Sequence, residues 1–220
     1  MDAQSAALGQ AVRARVGDDA WGWLTEIAAG RAGSWQEDVC NAYTAMPSRA
    51  GRVPFVLSDD ERSALARHDF SQWTIEDAAR TTLLVMTAGH MPADRFVHTA
   101  LECFERGDAR EQQSWLRGLR FLPQAERFLP CAIDACRTNI VPLFESIACE
   151  NPYPSQYFPE RNFNQMVLKA LFNDVALARI AGLRQRSNRD LARMAADYAA
   201  ERRAAGRRVP ADIGLAMEAA

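Results

Sequence analysis

Three segments in the second half of this chain repeat one pattern of apolar residues at helical spacing. They begin at Arg95, Arg127 and Asn162, align without gaps, and read RFVHTALECFERG, RFLPCAIDACRTN and NFNQMVLKALFND. Phenylalanine is the second residue of each, and small or aliphatic residues recur at the sixth, seventh and ninth positions. The second copy starts 32 residues after the first, and the third starts a further 35 residues on. A repeat of this kind restricts the fold to architectures built from similar helical units.

Each repeated segment is followed by a second segment with helical patterning, which makes three helix pairs. We expect the second helices at residues 109–119, 141–149 and 188–205. Helix pairs that recur every 30 to 50 residues or so are typical of α-solenoids, in which neighbouring pairs share one core. The sequence therefore predicts an all-α fold of helical-hairpin repeats, a HEAT-like α-solenoid or α-α superhelix. The alternative is an irregular helical bundle in which three helices share a pattern by chance.

Residues 1–90 are predicted to form an N-terminal helical region that continues into the repeats of residues 91–220 as one domain. No stretch alternates apolar and polar residues between turn signals, so we expect no β-sheet. Helix starts are predicted by capping boxes, in which Ser or Thr is followed three residues later by an acidic residue. They occur at Ser34–Glu37, Ser58–Glu61 and Thr74–Asp77. The helix after Ser34 is expected to end before Pro47, because proline removes a helical hydrogen bond.

The proline-rich stretch of residues 151–159, NPYPSQYFP, is expected to be extended. Proline disfavours helical backbone in the residue before it, and the affected residues are Asn151, Tyr153 and Phe158. Beyond this stretch, apolar residues recur at spacings of three and four. That spacing predicts an amphipathic helix from Asn162 to Asp174.

A polar stripe runs along the other face of that helix, and it consists of Asn162, Gln165, Lys169 and Asn173. Lys169 is the only lysine, since the other 25 of the 26 cationic residues are arginine. A movable cation and amides beside Asn151, Tyr153 and Tyr157 predict a site for a small polar ligand. Tyrosines can stack on a planar aromatic, so a neutral or anionic aromatic metabolite suits the site best. The alternative is an ordinary solvated helix face.

Two further sets of charged residues are candidate binding surfaces. Glu102, Asp134 and Lys169 occupy the same column of the three repeated segments. They would form a charged ridge that either binds a partner or only aids solubility. Four arginines near the C-terminus suggest a phosphate or carboxylate site or the polar face of the last repeat. These are Arg184, Arg186, Arg189 and Arg193.

Composition and motifs disfavour several classes of function. The net charge of −2 disfavours general nucleic-acid binding. No signal peptide and no apolar run of about 18 residues is present, so we expect a cytoplasmic protein without direct membrane insertion. Five cysteines without a CxxC pair predict buried free thiols, and three histidines lack metal-ligand spacing. No phosphate-binding, dinucleotide or nucleophile motif occurs, so neither a catalytic residue, a metal nor a cofactor is predicted.

The stretch NPYPSQYFPERNFNQMVLKALFND resembles the C-terminal signature of EboA-type proteins, and so do IAGL at 180–183 and AAERRAAGR at 199–207. The resemblance covers residues 150 to 210. It implies metabolite traffic in bacterial biosynthetic clusters, with natural-product precursors, including aromatic ones, moving towards the periplasm. It also implies partner proteins of the same cluster, including a membrane protein similar to UbiA-type prenyltransferases. It assigns no catalytic or binding residue to this chain.

Three functions are consistent with these observations. The first is a non-enzymatic metabolite-traffic or adaptor protein that binds a small aromatic metabolite, a role that a helical-repeat scaffold suits. The second is an enzyme of the same pathway that uses Lys169 with Tyr153 or Tyr157 as acid and base. The third is a purely structural protein-interaction scaffold. The absence of catalytic motifs disfavours the second, and the third differs from the first only in binding no small molecule.

Overall fold

A computed structural model describes residues 2–30, 35–65 and 68–218, and these are mostly helical. No strand occurs within those ranges, where β pairing is limited to an isolated antiparallel bridge between Pro54 and Thr74. The all-α prediction is therefore confirmed for the described residues.

The chain divides into two compact units, Met1–Cys131 and Ala132–Ala220. The first contains α1 (Ala3–Ala28), α2 (Trp35–Ala50), α3 (Asp59–Ala64), α4 (Ile75–Ala88), α5 (Ala93–Arg106), α6 (Ala109–Gly118) and 3-10 turns at Leu119–Phe121 and Ala125–Phe128. Helix α7 (Leu129–Ala135) crosses the boundary between the units. The second unit continues with α8 (Val141–Ala148), α9 (Tyr153–Tyr157), α10 (Glu160–Phe172), a 3-10 turn at Leu177–Arg179, α11 (Leu183–Arg186), α12 (Arg189–Ala204) and α13 (Gly214–Met217). The expected boundary between residues 90 and 91 lies inside the first unit, and the organisation of the chain as one domain stays a prediction.

Helix α4 is the central helix of the first unit. It packs against α1, α2 and α6. All its residues are buried except Met86 and Ala88. A helix covered on every side must carry its polar residues in the interior, and such groups need partners there. Glu76, Asp77 and Arg80 of α4 are the buried charged residues in question.

Capping boxes occur at two of the three predicted helix starts. The Thr74 N–H donates to the Asp77 carboxylate at 2.8 Å, at the start of α4. The Ser58 N–H donates to the Glu61 carboxylate at 2.7 Å, at the start of α3. Ser34 lies outside the described residues, so the third box stays a prediction.

The predicted end of α2 before Pro47 is wrong, because the helix continues to Ala50 with Pro47 inside it. Proline has no N–H to donate to the carbonyl four residues back, which here belongs to Tyr43. Arg80 of α4 supplies the missing donor, since its Nε donates to the Tyr43 carbonyl at 2.9 Å. A buried side chain from another helix thus satisfies the carbonyl that proline leaves free.

The extended conformation predicted for residues 151–159 is wrong in the middle of the stretch, where α9 forms a short helix. Proline is tolerated in the first turn of a helix, because N–H groups there have no helical acceptor. Pro152 and Pro154 occupy the N-cap and the first turn of α9. Phe158, which precedes Pro159, has the predicted extended backbone, whereas Tyr153 lies in α9.

Helix α10 corresponds to the helix predicted over residues 162–174, although it begins and ends two residues earlier. It packs against α8 and α12. Its apolar face is buried and consists of Phe163, Met166, Val167, Ala170 and Leu171. Burial of that face directs Gln165 and Lys169 away from the core, where they are exposed and half-buried respectively.

The three repeated segments share one pattern of burial. Phe96, Phe128 and Phe163 are each no more than 1% exposed, so the prediction that they are core residues is confirmed. The residues at the sixth and ninth positions are also buried in all three copies. The local structure differs, since the first and third copies form α5 and α10 whereas the second is a 3-10 turn followed by α7. The partner helices α6, α8 and α12 begin and end within one residue of the predicted bounds. The stacking of the three helix pairs into a solenoid stays a prediction.

Candidate functional site

A pocket of about 300 Å³ lies beside α10 in the second unit. It is lined by Ile133, Cys136, Arg137, Phe158, Asn162, Gln165, Met166 and Lys169. Three members of the predicted polar stripe, Asn162, Gln165 and Lys169, therefore lie in one pocket wall. The volume falls at the lower end of the range for small-molecule sites, which is about 300 to 1,000 Å³.

Helical spacing places these three polar residues together. Asn162, Gln165 and Lys169 follow one another at intervals of three and four residues, so they lie one above another on α10. Phe163 and Val167, on the adjacent face of the helix, are 0% exposed. Because the core holds that apolar face, α10 cannot rotate to turn the stripe away from the pocket.

Lys169 is held in a defined position at the pocket. Its Nζ donates to the Thr138 carbonyl at 2.5 Å and lies 5.5 Å from the centre of the Phe144 ring. Burial lowers the pKa of Lys169, and the nearby Cys136 partly opposes that effect. The single lysine of the chain is thus a partly desolvated cation.

The remaining walls are apolar or cationic. Burial raises the pKa of the Cys136 thiol to about 12, so the thiol is protonated at neutral pH and contributes an apolar surface. Arg137 is exposed and pairs with Asp134 at 2.9 Å. The eight lining residues include two cations and no carboxylate. The charged groups of the lining are therefore Lys169 and the ion-paired Arg137, beside apolar side chains.

Asn151, Tyr153 and Tyr157 do not line this pocket. The buried side chain of Asn151 donates to the Ser146 carbonyl at 3.0 Å and accepts from the Tyr153 N–H at 3.0 Å. Tyr153 is 0% exposed, and its ring centre lies 4.7 Å from that of the half-buried Tyr157. Asn151 thus holds the start of α9, and Tyr153 has no free face on which a ligand could stack.

The other predicted site residues lie apart from the pocket. Asn173 is the C-cap of α10. Arg184 is exposed and lines a separate depression of about 320 Å³. Arg186 donates to the carbonyls of Ser155 and Phe158, each at 2.7 Å. Arg186 therefore fixes a residue of the pocket wall, and it does not share a pocket with Arg184.

Ile133, Cys136 and Arg137 form a second wall that the sequence reasoning missed. They occur in the second repeated segment at intervals of three and four from Ile133, so a shared helix face was a detectable signal. The contact between this face and α10 depends on packing between residues about 30 positions apart. No local pattern contains that information.

The three charged residues of the repeat column each have a local partner. Arg106 pairs with Glu102 at 3.1 Å. Arg137 pairs with Asp134, as described above, and Lys169 is bonded to a backbone carbonyl. Their predicted alignment as one ridge stays a prediction.

Three other features bear on function. Over the described residues, no group of three or more His, Cys, Asp or Glu side chains is placed to hold a metal ion. In the same ranges, no helix is both long enough and apolar enough to cross a membrane. No disulfide bond joins cysteines of the described residues, and four of the five cysteines are buried as predicted.

The chain matches a known protein family. The family model described as metabolite traffic protein EboA matches residues 4–218, which is nearly the whole chain. No curated protein and no solved structure matches the chain. The resemblance noted over residues 150 to 210 is therefore confirmed and extends into the N-terminal helices. This chain belongs to the EboA family of metabolite traffic proteins.

Proposed function

We propose that this protein is a non-catalytic metabolite-traffic or adaptor protein that binds a small anionic aromatic metabolite in the pocket beside α10. The observation that carries the proposal is the presence of Asn162, Gln165 and Lys169 in one pocket with apolar side chains. The family description, metabolite traffic, supports the same role.

The lining suits an aromatic ring that carries a carboxylate or phosphate. Lys169 and Arg137 supply positive charge for the anionic group. The two amides of the stripe offer both donors and acceptors to substituents on the ring. Met166 and Phe158 offer apolar surface for the ring itself.

Binding without chemical change fits this lining better than acid–base catalysis. The catalytic hypothesis requires Lys169 with Tyr153 or Tyr157, and neither tyrosine lines the pocket. The lining residues also include no histidine or carboxylate that could exchange a proton with Lys169. The protonated thiol of Cys136 is a poor nucleophile.

In the wider role that we propose, the three helix pairs stack as a HEAT-like α-solenoid that binds partner proteins of the same biosynthetic cluster. One of these partners is a UbiA-like membrane protein, and the precursor passes from the cytoplasm towards the periplasm. The burial pattern shared by the three repeated segments supports the stacking. The competing role, a purely structural scaffold, leaves the pocket unused.

Isothermal titration calorimetry with 4-hydroxybenzoate as the probe tests ligand binding. We expect the wild-type protein to bind it and Lys169→Met to bind at least about tenfold more weakly, because a hydrogen bond to a charged group contributes about 1.5 to 3 kcal/mol. Gln165→Leu should also weaken binding without lowering the melting temperature, since Gln165 is exposed. Arg161→Met is the matched control, because it removes an exposed cation from the same helix outside the pocket.

The same variants should be expressed in cells that carry the biosynthetic cluster, with precursor export as the second readout. Normal stability with lost export in Lys169→Met supports the pocket as the working site. If Lys169→Met binds the probe and supports export like the wild type, the pocket has no part in the function and the scaffold role is favoured.

A further inference from the structure

A second pocket, of about 480 Å³, lies in the first unit and takes no part in the proposed function. Two non-helical segments, residues 54–57 and 68–73, form most of its wall, and Arg62 of α3 adds to it. The lining residues are Pro54, Phe55, Val56, Leu57, Arg62, His68, Asp69, Phe70, Ser71 and Trp73.

Hydrogen bonds hold the wall segments in place. The Phe55 N–H donates to the Trp73 carbonyl at 2.8 Å, which joins one segment to the other. Arg15 of α1 donates to the Val56 carbonyl at 2.6 Å and also pairs with Glu61 of α3. The pocket is therefore formed before any ligand arrives, which reduces the entropy lost on binding.

The pocket contains several aromatic side chains that meet at an angle. The His68 ring centre lies 4.8 Å from that of Phe70 and 5.2 Å from that of Trp73. Phe55 and Phe70 meet edge to face, with ring centres 5.7 Å apart. Tilted and edge-to-face contacts are the arrangements that aromatic rings prefer. A flat aromatic ligand can extend the cluster in the same geometry.

One polar atom in this aromatic cluster lacks a partner. Nδ1 of His68 is buried and has no hydrogen-bond partner among the described residues. Burial, aided by the charge of Arg120, lowers the pKa of His68 to about 3, so the imidazole is neutral at neutral pH. A neutral imidazole has one nitrogen that donates and one that accepts a hydrogen bond. A buried polar atom without a partner is a feature that a ligand can satisfy.

We propose that this pocket binds a small uncharged aromatic molecule with one hydrogen-bond donor, which it gives to His68 Nδ1. The ring packs among Phe55, Phe70 and Trp73. The two charged lining residues, Arg62 and Asp69, have opposite signs, so the pocket has no net preference for an ion. The neutral imidazole of His68 also creates no preference for a charged ligand. This ligand class differs from the anion expected beside α10, and the two sites stand or fall separately.

Ligand-observed NMR and calorimetry on the full-length protein test the proposal with indole and benzofuran. The two probes have nearly the same shape, but only indole has an N–H donor. We expect indole to bind about fivefold more tightly than benzofuran, which is the factor that one neutral hydrogen bond contributes in water. His68→Phe keeps a ring at this position and removes Nδ1, so it should bind both probes equally while its melting temperature stays the same or rises.

Two controls separate this site from structural effects and from the other pocket. Ser71→Trp adds bulk at an exposed lining residue and should abolish binding of both probes without disturbing the core. Lys169→Met should leave indole binding unchanged. Equal affinity of the wild type for the two probes, or full indole binding by Ser71→Trp, would overturn the proposal.

Discussion

At the scale of single residues, the carboxylate of Glu61 joins three parts of the first unit. It accepts hydrogen bonds from Arg15 of α1 at 2.7 and 2.6 Å and from the Ser58 N–H at 2.7 Å. Arg15 in turn holds the Val56 carbonyl in the wall of the aromatic pocket. The hydrogen bonds from Arg15 are the main reason that the pKa of Glu61 is lowered to about 2.

This lowered pKa predicts a pH dependence of stability. In the unfolded chain Glu61 titrates near its ordinary value of about 4.3. The stabilisation is therefore complete above that pH and is lost as the pH falls towards 2, where the folded form also takes up the proton. Because Glu61 and Arg15 are about a quarter exposed, we expect a loss of about 1 kcal/mol after solvent screening. Urea unfolding measures the free energy of unfolding at pH 5 and at pH 3. This free energy should fall less between the two pH values for Glu61→Gln than for the wild type. An equal fall in both proteins would contradict the role given to Glu61.

A second prediction at this scale concerns Phe163, which is fully buried in α10. Phe163→Ala should lower the free energy of unfolding by about 3 to 5 kcal/mol, because it removes apolar contacts and leaves a cavity. Phe172→Ala is the control, since Phe172 is on the same helix but 66% exposed. Chemical denaturation of both variants measures the difference. A loss below about 1 kcal/mol for Phe163→Ala, the scale of a surface change, would show that the repeat register is misplaced.

At the scale of elements, a buried polar network joins α2, α4 and α6. Arg80 of α4 donates to the Tyr43 carbonyl of α2 and, at 2.9 Å, to the Ser114 hydroxyl of α6. It also lies within 3.7 Å of the Glu76 carboxylate and 4.0 Å of the Glu111 carboxylate. Removing one member of such a network weakens the pairing of the buried charges that remain, which is destabilising.

The network predicts coupling between Arg80 and Pro47. Arg80→Met should cost about 3 kcal/mol, because it removes the cation beside the buried Glu111 carboxylate and leaves the Tyr43 carbonyl without its donor. Pro47→Ala restores an N–H that can donate to that carbonyl within α2. We therefore expect Pro47→Ala to stabilise the Arg80→Met protein by about 1 kcal/mol more than it stabilises the wild type. Urea unfolding of the four proteins completes the cycle, and strictly additive effects would contradict the inferred role of Arg80.

At the scale of the whole molecule, the two compact units differ in their aromatic residues. All five tryptophans are in the first unit, at positions 21, 23, 35, 73 and 115. Tryptophan fluorescence therefore reports on the first unit, whereas far-UV circular dichroism reports on the helices of both. Helix α7 begins in the first unit and ends in the second.

The shared helix predicts a single unfolding transition. An isolated helix of seven residues is not stable in water, so loss of structure in either unit should also disrupt α7. We expect the midpoints of urea unfolding from fluorescence and from circular dichroism to coincide. Two separate midpoints, with the fluorescence change confined to one of them, would show that the units unfold independently.

The sequence by itself determined the helical class, the capped starts of α3 and α4, the three core phenylalanines and three polar residues of the candidate site. These features depend on interactions within one helical turn or along one face of a helix. Both involve residues that are three and four positions apart in the sequence.

Three features were decided only by the tertiary structure. They are the continuation of α2 beyond Pro47, the second wall of the pocket beside α10, and the burial of His68 Nδ1 without a partner among the described residues. Arg80 and Tyr43 are 37 residues apart, and Lys169 and Thr138 are 31 residues apart. Contacts of that kind form only when packing brings distant residues together. A buried carbonyl then accepts a hydrogen bond from whatever donor the fold supplies. The physical reason for the division is therefore range: local interactions specify the elements, and packing between elements specifies the sites.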